Sequence, residues 1–228
     1  MGLPDIIAID GPAGSGKSTL GKKLSDYLGY LYFDTGVMYR AVTLAAIQRA
    51  IPFEDEARIT SLAEEIHLDV QPPERKEEIH SRVFLDGKDV TDNIRSPEVD
   101  ACVSIVSTYP GVRKALSEQQ RRVGLRGKVV MVGRDIGTVV LPEADLKIYL
   151  DASIEERGRR RYMELGERGE PTSMAAILES LRLRDRIDST REFAPLRPAE
   201  DAIIVNSEGQ SIEQVYERLV RLVEMQRT

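Results

Sequence analysis

The chain has 228 residues, 41% hydrophobic and 31% charged, and carries a formal net charge of -6 at pH 7. That is enough apolar material for one good core, while the acidic balance and 5% aromatic content argue against nucleic acid as a main partner. No apolar run is long enough to cross a bilayer, and the one cysteine has no partner for an internal disulfide.

Cys102 lies in "DACVSIVS", where a small buried core residue is expected. His67 and His80 have no neighbour at a metal-ligand spacing and read as solvated surface residues. The chain enters its first strand almost at once, and a cytoplasmic, monomeric protein is expected.

In chain order, residues 5–9 ("DIIAI") form a compact β-rich run. Gly11, then Pro12, Ala13, Gly14 and Ser15, then Gly16, Lys17 and Ser18 complete G-x-x-x-x-G-K-[ST], with Thr19 following. Leu20, Leu24 and Leu28 mark an amphipathic helix directly after it. Glycines let backbone N–H groups approach a polyphosphate, and the helix aims its positive dipole end at the same place. Lys17 suits the β and γ phosphates, and Ser18 offers a hydroxyl to Mg²⁺, with Asp10 and Asp34 as candidate helpers. The segment therefore predicts a site for ATP or GTP with Mg²⁺.

A second run at 30–33 ("YLYF") leads into "DTGVMYR", which places Thr35, Tyr39 and Arg40 at a strand end. From about 51 to 108 the rhythm changes. A helix-like piece, "HLDVQ", a charged link "PPERKEE" and "RVFLDGKDV" follow one another, with Asp86 and Gly87 as a tight hairpin turn. Ser96 and Pro97 then read as an N-cap and first helical position.

Residues 128–132 ("KVVMV") precede "VGRDIGTVV", so Arg134 and Asp135 belong at the carboxyl edge of the sheet, where open α/β folds bind ligands. After 146–150 ("LKIYL"), residues 154–191 hold nine arginines and no lysine. That bias fits either a closing lid with forked anion contacts or a salt-bridged helical surface. Arg184, Asp188 and Arg191, at i, i+4 and i+7, are expected on one helix face, either around a sugar hydroxyl next to a phosphate or as an ion-pair ladder. Residues 202–206 ("AIIVN") and the stripe Ile212, Val215, Leu219 and Leu222 close the pattern. The alternation predicts an α/β fold with a five-stranded parallel sheet flanked by helices.

Together "IDGPAGSGKST", "DTGVMYRA", "VGRDIGTVV", "IYLDAS", "RDRIDSTR" and "APL" followed by "A-D" resemble the bacterial cytidylate kinases over essentially the whole chain. These are a branch of the nucleoside monophosphate kinases among the P-loop NTPases. The resemblance implies a core of about 1–50, 109–153 and 192–228, a monophosphate-binding insertion of about 51–108 with short strands, and a helical lid of about 154–191. It implies that residues 11–19 bind ATP and that Thr35, Ser104, Arg113 and Asp135 read or position cytosine. Arg184 and Asp188 would hold ribose hydroxyls, and Arg40, Arg134 and Arg191 would surround the acceptor phosphate. Lys17, Arg134, Arg160 and Arg191 form the implied catalytic set, with Arg160 reaching the donor. The family often has serine where Thr35 stands. The implied reaction is phosphorylation of CMP, and of dCMP, by ATP. A kinase for UMP or AMP and a nucleotide-dependent switch are the competing readings, the latter without an N-K-x-D motif.

Overall fold

A computed structural model describes residues 2–72, 81–167, 169 and 172–226. His80, Arg168 and all of the charged link except Pro72 lie outside the described residues. Five strands, β1 (Ile6–Asp10), β2 (Leu31–Asp34), β6 (Val129–Gly133), β7 (Leu146–Asp151) and β8 (Ile203–Asn206), form one parallel sheet in the order β2-β6-β1-β7-β8. In the centre, Ile7 pairs with Val130 on one side and Leu146 on the other.

Period-2 alternation splits the core in two. Ile7, Ile9, Val130 and Val132 point toward α1 (Lys17–Leu28) and α8 (Ile212–Met225), meeting Leu20, Leu24, Val215 and Leu219. Ala8, Val129 and Met131 point the other way. They pack with α2 (Gly36–Gln48), α3 (Glu56–Glu65), α4 (Pro97–Val106) and α5 (Pro110–Gly124). Local chemistry sets the element ends. Ser211 and Gln214 close a capping box on α8, and the Ser96 hydroxyl accepts from the Val99 N–H with Pro97 in the first turn of α4.

A second, antiparallel sheet of β3 (Leu68–Gln71), β4 (Arg82–Leu85) and β5 (Lys88–Asp89) sits in the insertion. Its hairpin turns at Asp86 (φ 49°) and Gly87 (φ 80°), the two positive φ values a type I′ turn needs. Two long helices, α6 (Ile154–Glu167) and α7 (Met174–Thr190), carry the arginine-rich stretch. Among the described residues no helix is long and apolar enough to cross a membrane.

Two expectations are corrected. α7 stops at Thr190, and Arg191 is already extended (φ -62°, ψ 141°), so Arg184, Asp188 and Arg191 do not share one helix face. The chain folds back here, with Ala194 at φ 53° and the Leu196 N–H bonded to the Asp188 carbonyl at 2.7 Å. Cys102 is half-buried rather than in the core, because α4 buries the stripe Val99, Val103 and Val106. His67 is exposed.

Candidate active site

The glycine-rich loop runs from the end of β1 into α1, as its spacing requires. Gly11 has φ 149°, and a Cβ there would lie 2.1 Å from the Leu150 carbonyl oxygen, so only glycine fits. Gly16 is the N-cap of α1 and supplies no side-chain cap, leaving first-turn N–H groups for an outside acceptor. Lys17 is buried, its Nζ donating to the Pro12 carbonyl at 2.6 Å and the Ser15 hydroxyl at 3.3 Å. Burial, and then the Arg134 guanidinium, push this ammonium well below its ordinary pKa. Ser18 donates to Asp34 Oδ2 at 3.0 Å, while Asp34 Oδ1 accepts from the Gly36 N–H at 2.9 Å. Asp10 is engaged elsewhere, accepting from the Ile136 and Gly137 N–H groups at 2.8 Å each. Burial pushes its carboxyl up to about 6 despite those two bonds.

Beside this loop runs a chain of alternating charges. Arg113 on α5 donates to Asp135 at 2.6 Å and to the Ser107 carbonyl at 3.0 Å, with the Tyr39 ring 5.2 Å from its guanidinium. Asp135 stands 3.8 Å from Arg191, and Arg191 stands 3.6 Å from Asp188. Asp188 accepts from Arg134 Nε at 2.9 Å. Burial alone would raise the Asp188 carboxyl, but Arg134, Arg184 and Arg191 outweigh it and hold it below 3.8. Arg184 is half-buried and has no hydrogen-bond or ion-pair partner among the described residues. Burial first, and then the like charge of Arg134, bring it down to about 10, with Arg40 adding repulsion. Arg134 and Arg184 both act on Lys17, which puts the glycine-rich loop and the arginines in one neighbourhood.

The remaining residues singled out from the sequence sit around this centre. Thr35 is buried and spends its hydroxyl proton on the Val132 carbonyl at 3.0 Å, so it can only accept from a ligand. Ser104 is half-buried on α4, one turn before the Ser107 carbonyl that Arg113 uses. Arg40 donates to the Ile94 carbonyl at 3.0 Å and pairs with Asp100, which also lies 3.5 Å from Arg161 on α6. Arg160 does not face the charge chain. It donates to the Ser207 carbonyl at 2.7 Å and reaches the Ser15 carbonyl at 3.4 Å, on the glycine-rich loop side.

Sequence reasoning passed over Asp100 and the pair Arg157–Asp185. Arg157 is buried, donates to the Ala13 carbonyl at 3.0 Å and forks onto Asp185 at 3.1 and 2.6 Å. The preference for arginine over lysine was the available signal, but it did not separate Arg157 from its eight neighbours.

A sequence model of the family described as cytidylate kinase matches residues 7–225. The cytidylate kinase of Herpetosiphon aurantiacus is 46% identical over 223 residues, covering 98% of this chain and 96% of that one. That of Chloroflexus aggregans is 49% identical over 209 residues, covering 92% and 89%. A bifunctional pantoate ligase/cytidylate kinase of Prochlorococcus marinus (strain MIT 9303) is 48% identical over 227 residues. The match takes in 99% of this chain but only 46% of that longer protein, so the chain spans about half of its bifunctional relative. With the glycine-rich loop, the charge chain and these matches in agreement, the chain belongs to the cytidylate kinase family.

Proposed function

We propose that the protein transfers the γ-phosphoryl group of ATP to the phosphate of CMP, giving ADP and CDP, and takes dCMP as a second acceptor. The observation that carries this reading is Arg184, without a hydrogen-bond or ion-pair partner among the described residues and crowded by Arg134 next to the Lys17 of the glycine-rich loop. Like charges crowded in this way are relieved by an anion among them. Residues 11–19 hold the donor, with Lys17 on its phosphates and Arg160 behind the loop. Arg40, Arg134 and Arg191 gather the acceptor phosphate, and Arg184 and Asp188 take the ribose hydroxyls. Arg113, Asp135, Ser104 and Thr35 line the base. Residues 51–108 form the acceptor wall and 154–191 the lid, all on one chain, so a monomer suffices. A cytoplasmic setting fits both substrates.

The residues present fit Mg²⁺. Ser18 and Asp34 offer hard oxygens, and among the described residues no cluster of three His, Cys, Asp or Glu side chains forms a cage of its own. That suits an ion that keeps its waters and is shared with the nucleotide phosphates. Bound there, Mg²⁺ supplies charge neutralisation for the β and γ oxygens. The acceptor is already an ionised phosphate, so alignment and charge compensation do the work without a general base.

The test is turnover with ATP and Mg²⁺ against CMP, dCMP, UMP and AMP in turn. CMP should give the highest kcat/KM, and Lys17→Ala should cut turnover by roughly 100-fold or more while the fold persists. Preference for UMP or AMP, or near-normal turnover by Lys17→Ala, overturns the reading.

A further inference from the structure

Asp10 has no place in the phosphate chemistry above, yet it is buried and satisfied in an unusual way. Its two carboxylate oxygens each accept one backbone N–H, Ile136 at 2.8 Å and Gly137 at 2.8 Å, from residues more than a hundred positions away. Those two N–H groups open a short π turn, Ile136–Val140, closed by bonds from Val140 to the Asp135 carbonyl and from Leu141 to the Ile136 carbonyl. A turn of this kind leaves its first donors free, and the residue at its N-cap is the ordinary one to satisfy them.

That residue is Asp135, which makes no side-chain cap. Its carboxylate is turned instead to Arg113 and Arg191. Asp10 therefore does the capping that Asp135 has given up. It is also the last residue of β1, paired in register with Gly133, and Gly11 of the donor loop follows it directly. One carboxylate thus joins the root of the donor loop to the turn that carries Arg134 and Asp135.

We propose that Asp10 is a positioning residue for phosphoryl transfer, holding the Arg134–Asp135 turn in register with the donor loop so that the two phosphates meet in line. This rests on the function proposed above. In-line transfer is sensitive to small displacements of either phosphate, whereas each pocket alone is built from other groups.

Asp10→Asn tests it, because the amide keeps the shape and one acceptor but sets an N–H₂ against one of the two N–H donors. The expected result is a kcat lowered by roughly 10- to 100-fold, with KM for ATP and for CMP each within about threefold of the native values. An unchanged kcat per folded molecule with a lower melting temperature means a structural role only and overturns the proposal. So does a raised KM for CMP at native kcat. If the variant does not fold, hydrogen exchange in the unmodified protein decides. The Ile136 and Gly137 amides should exchange as slowly as those of β1, and exchange as fast as an exposed loop overturns the clamp. A native enzyme that ignores CMP refutes the function alone. The kinetic split is then measured with the monophosphate it does accept, and the exchange result does not depend on the acceptor.

Discussion

Asp188 is held in its charged form by three guanidinium groups against the cost of burial, and this makes its contribution to stability dependent on pH. A carboxyl whose folded pKa lies below its unfolded value stabilises the fold above the unfolded value, here 3.8. As pH falls through 3.8 the unfolded chain takes up the proton first, and the contribution is gone once pH has passed the lower folded value. Asp188→Asn should therefore be less stable than the native protein at pH 7 in urea unfolding, and the gap should narrow as pH drops below 3.8. A gap that is the same at pH 7 and pH 3 refutes this account of the charge chain. Asp10 has the opposite sign. Its carboxyl, raised to about 6, favours folding most below 3.8 and loses that advantage as pH rises through 6. Ionisation of Asp10 at neutral pH is thus less favourable in the fold than in the unfolded chain, even with the two N–H groups it accepts.

α6 and α7 meet the glycine-rich loop through Arg157. Its side chain is 6% exposed and joins α6 to Asp185 on α7, to the Ala152 carbonyl at 3.1 Å and to the Ala13 carbonyl of the glycine-rich loop. Arg157→Leu removes the buried member of a pair whose carboxylate is only partly exposed, and leaves two carbonyl oxygens without their donor. A loss of about 3 kcal/mol is expected in urea unfolding, and a change within about 0.5 kcal/mol would show that the junction is not structural. The sheet and most helices were legible in the sequence because period-2 and 3.6-residue patterns report directly on which face is buried. Arg191 was not, because helical spacing says nothing of where the helix stops. The fold-back at Ala194 is a matter of backbone geometry, and alanine rarely announces a positive φ. Cys102 was misplaced for a related reason. An apolar run alone does not fix which side chains are buried, and Val99, Val103 and Val106 at four- and three-residue spacing put the thiol off the buried stripe.

The candidate site itself was legible where a motif fixes the backbone, as at residues 11–19 and at Arg134 and Asp135. Its partners were not, because Asp10, Asp100 and Asp185 act across distances in sequence that only folding closes. The candidate site draws on β1, α1, α2, α4, α5, the turn after β6, α6 and α7, so occupancy is linked to the stability of the fold as a whole. At a hundred times its dissociation constant CMP should raise the free energy of unfolding by about 2.7 kcal/mol, and no shift at saturation would contradict an acceptor pocket in the native state. The solitary thiol brings one more consequence. Cys102 stands half-accessible on α4, two positions from Asp100, which faces Arg161 of α6. A maleimide dye will attach at a single known point on each molecule without engineering. Burial, and then Glu98, raise the thiol's pKa, so coupling will be slow at neutrality and quicken in mild alkali. The fluorescence of that one reporter tests the closure proposed above, because a change on adding both substrates is expected if α6 moves against α4.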